Sequence, residues 1–423
     1  MADQVTGQYL SDKLNALGVP KGAPLAIAVS GGPDSMALAL LAATVRDVVC
    51  LTVDHGLREE AAAEAHSVGQ VMKGRGIEHH ILSWEGDKPS TNIQAAARTA
   101  RYALMARWCQ KNGITHLLTA HHQDDQAETL LMRLARGSGV YGLAAMAPVT
   151  ALEDGRVTLV RPLLEVQKQS LVQYLEGQSV GFVEDPSNKA EQFDRVKVRQ
   201  FLAEPPLEGF RVERLAETAA RLRRSRDALE FYEAEWLSRF VNMTSEGHVE
   251  FNISAFEKAP EEIVLRGVAT CCRFVSGQRY VPRMEKLERA RLAMASPDFS
   301  GQTLYGTQFM AVGDGNILMF RELASTEGLM PVKDGASWDK RFEISASGDI
   351  AGLEVGALGL EGWSEAVKLW PELRDSDMPF AARLVLPAIF HDGKVCAIPH
   401  LNAEFGPKRD ISLSLKSIGW PKK

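Results

Sequence analysis

Two short strings bring together residue types that can do chemistry. The first, Ser30-Gly31-Gly32-Pro33-Asp34-Ser35, follows the apolar run Leu25–Val29. Paired glycines let a backbone turn tightly and approach a ligand with no Cβ in the way. Proline suits the first position of a helix. A helix opening at Pro33 or Asp34 would turn free N–H groups and its dipole toward an anion, with the Ser30 and Ser35 hydroxyls as further donors. Asp34 would repel a bare phosphate, but not one that shares a divalent cation with it. The plain alternative is a strand-to-helix turn capped by Asp34 or Ser35. The Gly-Lys-Ser/Thr ending of a Walker-type loop is absent.

The second string, His121-His122-Gln123-Asp124-Asp125-Gln126-Ala127-Glu128, sets two histidines and three acids at a helix start. Asp125 and Glu128 are three apart, so both carboxylates can share one face. Dipole compensation would explain one acid there, not the group. The histidines can line a nucleotide site. A zinc or iron centre on His121, His122, Asp124 and Asp125 is the rival reading, weakened because adjacent histidines on one backbone seldom chelate one metal. Arg98 and Arg101 follow an alanine-rich helix face, and an arginine there suits charge building on a phosphate. Asp54 and His55 end another apolar run, where backbone groups can hold a base or sugar, with Arg58 just beyond. Asp185–Asn188 is a turn by composition. Beyond it Arg195, Lys197 and Arg199 alternate with valines, as either a solvated face or one turned to a polyanion.

Elements must converge to position these side chains. Leu25–Val29, Val48–Val53, His79–Ser83 and Thr115–Thr119 read as buried strands. Met36–Ala43, Glu59–Lys73, Ile93–Gln110 and Gln126–Arg136 read as helices. Short apolar runs alternating with helices predict an α/β fold with a doubly wound, mainly parallel sheet covered on both faces. Such sheets bind ligands beyond the carboxyl ends of their strands, and three of those ends carry the residues named above.

In this order, SGGPDS, VDHGLREE (53–60), AAARTARY (95–102), TAHHQDDQAETLLMRLARGSGVYGL (119–143), RPLL (161–164) and VEDPSN (183–188) closely resemble the tRNA(Ile)-lysidine synthases. These belong to the PP-loop ATP pyrophosphatases, which cleave ATP between its α and β phosphates. The resemblance covers roughly residues 24–200 and continues only in scattered phrases such as LYG and IPHL. It implies ATP and Mg2+ as cofactors, L-lysine as co-substrate, and a tRNA(Ile) with an unmodified wobble cytidine as partner. The cytidine is adenylated at O2, and the lysine amine then displaces AMP. Ser30, Gly31, Gly32, Pro33, Asp34, Ser35, Asp54, His55 and His121 would hold the nucleotide, and Asp34 and Asp125 the metal. Asp34, Arg101, Asp125, Glu128 and Arg195 would be catalytic, with Glu128 near the incoming lysine. The family has asparagine after the first arginine of the later string, where this chain has Val196.

The chain has 423 residues, 45% of them hydrophobic, and a net charge of −6. The acidic balance excludes polyanion binding by bulk charge and leaves local basic patches. Arg195 to Arg226 holds nine Lys/Arg against four Asp/Glu. The five cysteines form no CxxC pair, which speaks against a zinc ribbon or redox dithiol, and Cys271 and Cys272 read as buried helix residues. The N-terminus reads as no signal peptide, and no apolar run is long enough for a membrane span. A cytoplasmic protein with no membrane partner fits, and a homodimer is allowed. AEPPLEG (203–209) reads as a linker, with a second break near Gly328–Gly335. The expected domains are 1–204, catalytic; 205–330, helix-rich and tRNA-binding; and 331–423, a small mixed α/β unit for tRNA recognition. The alternatives are a tRNA thiolation enzyme, a glutamine-fed amide ligase, and a non-catalytic nucleotide- and RNA-binding protein.

Overall fold

A computed structural model describes residues 5–56, 60–86, 88, 89, 91, 93–152, 155–181, 194–404 and 411–416. Arg58 and the VEDPSN string lie outside the described residues. The chain divides into two compact units, Met1–Asp227 and Ala228–Lys423. The boundary falls inside one long helix.

The first unit runs α1 (Gly7–Ala16), β1 (Leu25–Ala28), α2 (Pro33–Ala43), β2 (Val48–Asp54), α3 (Glu60–Gly74), β3 (Glu78–Ser83), α4 (Ile93–Lys111), β4 (His116–Leu118), α5 (Gln123–Leu134), α6 (Val140–Leu143), β5 (Val149–Leu152), β6 (Val157–Val160), α7 (Lys168–Gly177), α8 (Asp194–Ala203) and the start of α9 (Val212–Phe240). Its six strands lie in the order β3-β2-β1-β4-β6-β5. All neighbours are parallel except β5 and β6. The four expected strands and four expected helices are present, with shifted ends. α2 and α5 each begin three residues earlier than their expected helical runs, at Pro33 and Gln123, and α5 so takes Asp124 and Asp125 into its first turn. The β5–β6 pair was not foreseen.

The sheet is buried on both faces, which is why its strands read as unbroken apolar runs. Alternate residues still part to opposite sides. Leu25, Ile27, Cys50 and Leu118 join one core with α1, α2 and α7. Ala26, Leu51, Leu117 and Leu159 join another with Met105, Ala106 and Cys109 of α4. α2 is buried from Ser35 to Ala42, as a central crossover helix must be. From β1 the chain winds outward through β2 to β3, then returns to the other side of β1 as β4. The switch point therefore lies between β1 and β4, and the loops after these strands open a crevice there.

The second unit contains the end of α9, then β7 (Val241–Met243), β8 (Val249–Asn252), α10 (Glu261–Ser276), α11 (Met284–Met294), β9 (Gly301–Leu304), β10 (Thr307–Ala311) and β11 (Asn316–Arg321). It continues through β12 (Met330–Pro331), β13 (Ser337–Trp338), β14 (Phe342–Ala346), β15 (Leu353–Ala357), α12 (Gly359–Leu369), α13 (Phe380–Arg383), β16 (Pro387–His391), β17 (Lys394–Ile398), β18 (Ala403–Glu404) and β19 (Ile411–Leu415). The helix-rich stretch thus also carries a five-stranded antiparallel sheet, β7-β8-β11-β10-β9, packed on α10. A second five-stranded sheet and a three-stranded one follow. Asp339 is buried between Arg321 and Arg341, 3.1 and 2.9 Å away, and ties the second unit's earlier strands to its later ones. Cys271 and Cys272 are buried in α10 as expected.

Candidate active site

The loop between β1 and α2 is built by its own hydrogen bonds. Gly31 has φ +85°, a left-handed backbone that favours glycine. Gly32 caps α2, and Pro33 occupies the first turn. The Ser35 hydroxyl donates to Gly32 O at 3.0 Å and accepts from Ser30 N at 3.1 Å. Ser35 therefore braces the loop, while the first turn of α2 presents its remaining N–H groups outward.

α5 enters the same crevice from the end of β4. His122 is its cap residue, and its backbone N–H donates to Asp125 Oδ2 at 3.1 Å. The His122 ring is only 3% exposed. Its Nε2 lies 3.4 Å from Asp34 and 3.5 Å from Asp125, and its Nδ1 lies 3.5 Å from Asp124. Burial alone would lower its pKa, but the surrounding acids outweigh this and raise it to about 10. His122 is thus a buried cation tying α2 to α5. The Asp124 oxygen beside His122 also accepts from Lys168 N at 3.0 Å.

His121 behaves oppositely. Its Nδ1 meets the Thr119 hydroxyl at 3.0 Å. Burial, with Arg161, Arg98 and Arg195 nearby, lowers it to about 3 against the pull of Asp125. It is neutral at pH 7 and lines the crevice. Of the four residues of the rival zinc or iron reading, His122, Asp124 and Asp125 meet as an ion-paired group, while His121 turns to Thr119. Among the described residues no three His, Cys, Asp or Glu side chains gather as metal ligands.

The crevice is about 670 Å³ in volume, and Ser30, Asp34, His55, Arg101, His121 and Asp125 all line it. Residues read separately in the sequence meet here. Arg101 donates from Nε and Nη2 to His55 Nε2, each at 3.3 Å. His55 can accept because its pKa is lowered, by burial first and then by Arg101. Its ring stands edge-on to Trp84 with centroids 5.9 Å apart. Asp54 instead accepts from Gly56 N at 2.8 Å and holds the turn. Glu64 of α3, with Gln94 and Arg98 of α4, also faces the crevice. Arg98 was named from the sequence beside Arg101, but Glu64 and Gln94 were missed, because helix periodicity separates buried from exposed faces but does not say which exposed face meets a ligand.

Asp125 and Glu128 share one face of α5, as their spacing predicted. Glu128 is 3% exposed, and both its oxygens are taken, one by Arg195 Nε at 2.5 Å and one by Arg199 Nε at 2.7 Å. Arg195 also donates to Asp125. α8 is thereby clamped to α5. Asp34 Oδ1 is buried and makes no hydrogen bond among the described residues. Two carboxylates beside a phosphate cradle fit Mg2+, which takes one or two carboxylates together with substrate phosphates.

Comparison with known proteins agrees with this geometry. Residues 7–205 match the PP-loop domain family model. The tRNA(Ile)-lysidine synthase of Ruegeria pomeroyi is 39% identical over 381 residues, covering 89% of this chain and 88% of that protein. The tRNA(Ile)-lysidine synthase of the Wolbachia of Brugia malayi is 32% identical over 389 residues, covering 89% of each. Among solved structures, the U34-tRNA thiolase NcsA from Methanococcus maripaludis with its [4Fe-4S] cluster is 17% identical, covers 52% of this chain and 78% of that one, and has a TM-score of 0.45. A likeness that loose carries no chemistry. With relatives matching along nearly their whole length, the chain belongs to the tRNA(Ile)-lysidine synthase family.

Proposed function

We propose that this chain is an enzyme that joins L-lysine to C2 of the wobble cytidine of tRNA(Ile). The reaction adenylates the cytidine with ATP and releases pyrophosphate, then AMP, turning a methionine-type anticodon into an isoleucine one. One observation carries the reading. The glycine loop, Asp34, Asp125, Arg101 and neutral His121 face a single crevice at the sheet's switch point.

Ser30, Gly31, Gly32 and the first turn of α2 bind the pyrophosphate end by N–H donation, with Pro33 starting the helix and Ser35 bracing the loop. Asp34 and Asp125 would hold Mg2+, which supplies neutralisation of phosphate charge. Arg101, oriented by His55, meets the charge that builds on the α phosphate. Asp54 fixes the turn beside the nucleoside. Neutral His121 lines the nucleotide crevice without adding charge to it. Glu128 positions Arg195 and Arg199, and contact with the lysine ammonium requires one of these guanidiniums to yield its oxygen. Attack needs the neutral amine, and Asp125 or Glu128 would accept its proton.

Thiolation is disfavoured by the cysteines. All five are buried, and burial pushes Cys50 and Cys109 up to about 12, far from a reactive thiolate. We keep the three-domain division at 204 and 330 as a proposal, with catalysis in the first part and tRNA recognition in the others. A cytoplasmic location and a homodimer are proposed likewise. Among the described residues no helix is long and apolar enough to cross a membrane.

The test is to incubate the purified protein with ATP, Mg2+, labelled L-lysine and unmodified tRNA(Ile). Label on the wobble cytidine, with AMP and pyrophosphate as products, supports the reading. ADP and phosphate, or an unlabelled cytidine, overturn it.

A further inference from the structure

The second unit carries a loop whose exposed residues are unusual for a plain connection. Between α10 and α11, Tyr280 is 70% exposed and Val281 46% exposed. The Arg279 guanidinium lies 5.9 Å from the centre of the Tyr280 ring. The loop is anchored at both ends. Gly277 ends α10 with φ +65°, where an added Cβ would meet Asp339 O at 2.9 Å, and Pro282 is buried. The aromatic ring is therefore held out on a short, fixed support.

α11 continues the feature with further cations on its exposed side. Leu287, Ala290 and Met294 are its buried face. Lys286 and Arg289 lie on the exposed side, after Arg283 at the helix start; Glu285 stands one turn before Arg289, whose Nε donates to the Glu285 backbone carbonyl at 3.2 Å, and Glu288 lies further round. Arg291 is occupied by Glu261 at 2.5 Å. The loop and these side chains together offer more cations than acids around an exposed aromatic ring, within a chain of net charge −6.

We propose that this strip, Arg279, Tyr280, Arg283, Lys286 and Arg289, is an RNA-docking surface on which Tyr280 stacks an unpaired base while the basic side chains follow the phosphates. Stacking on an aromatic face tolerates any base, and paired cations add sequence-independent affinity. The inference rests on the tRNA reading above and names where in the second unit the RNA is gripped.

The experiment measures binding of full-length protein to labelled tRNA(Ile) transcript over a salt series, for wild type, Tyr280→Ala, Tyr280→Phe and Lys286→Ala/Arg289→Ala. Tyr280→Ala should weaken binding about 5- to 150-fold, while Tyr280→Phe stays near wild type because the ring is kept. The double variant should flatten the dependence of log affinity on log salt by about one to two units. ATP binding and the melting temperature should not move in any variant. If Tyr280→Ala and the double variant bind tRNA as wild type does, the surface is not an RNA site and a different partner class must be sought. If wild type itself fails to bind tRNA(Ile), the tRNA reading falls and takes this inference with it.

Discussion

His122 Nε2 lies 3.4 Å from a carboxylate oxygen of Asp34, joining residues 88 positions apart across the switch point of the sheet. The contact makes the phosphate loop and the acidic helix one rigid piece. It also puts a buried positive charge behind the two carboxylates that face the crevice.

That charge gives a pH signature. The pKa of His122 is raised from the ordinary 6.5 to about 10. A group raised in this way stabilises the fold fully below about 6.5, and the contribution is lost as pH climbs toward 10. The difference in melting temperature between wild type and His122→Gln, in metal-free buffer, should be constant below pH 6.5 and shrink steadily from pH 7 to 10. A difference that does not change over that range means His122 is not the buried cation described.

Asp34→Ala should abolish adenylation and leave tRNA binding intact. Its carboxylate faces the phosphate loop, and its buried Oδ1 has no hydrogen bond among the described residues. Loss of a metal-holding group should cost several kcal/mol, on the order of 100-fold or more in AMP formation. AMP release and tRNA affinity are measured side by side, and equal loss of both in a folded variant rules out the assignment.

Glu128→Gln should separate the two chemical steps. Both carboxylate oxygens are engaged by Arg195 and Arg199. The amide keeps the shape but only one acceptor, and losing a charged hydrogen bond costs ~1.5–3 kcal/mol, about 10- to 150-fold. Lysine transfer should fall by that factor while adenylated tRNA still forms and accumulates. Trapping the intermediate with and without lysine checks this. If adenylation falls equally, Glu128 belongs with the ATP site.

Gly267→Ala should destabilise the second unit. A Cβ there would sit 2.4 Å from the Trp236 ring, and Trp236 is only 2% exposed. Overpacking costs ~1–3 kcal/mol, against a gain in helix propensity of up to ~1 kcal/mol. Denaturant melts should show a lower midpoint, with ATP binding in the first unit retained. An unchanged midpoint would mean that the ring can move aside freely.

The sequence by itself determined the parallel sheet, the glycine turn and the places where acids and arginines stand at strand ends. Those features are local. Apolar runs record burial on both faces, and turn chemistry depends on residues next to one another. The start of α5 was misplaced by three residues because His122 caps a helix whose first turn is polar, so the apolar period begins later than the helix does. β5 escaped notice because it is an edge strand whose residues are largely exposed, so it leaves no apolar run, and its partner β6 was missed with it. The tertiary structure alone decided that His121 is neutral and His122 charged, though they are chemically identical neighbours. One faces Arg98, Arg161 and Arg195, brought from elsewhere in the chain, and the other gains Asp34 of α2 beside its own neighbours Asp124 and Asp125. It alone paired Arg101 with His55 and gave both Glu128 oxygens to α8. Such pairings depend on which side chains meet in space, and residues so far apart in the chain leave no periodicity between them to be read.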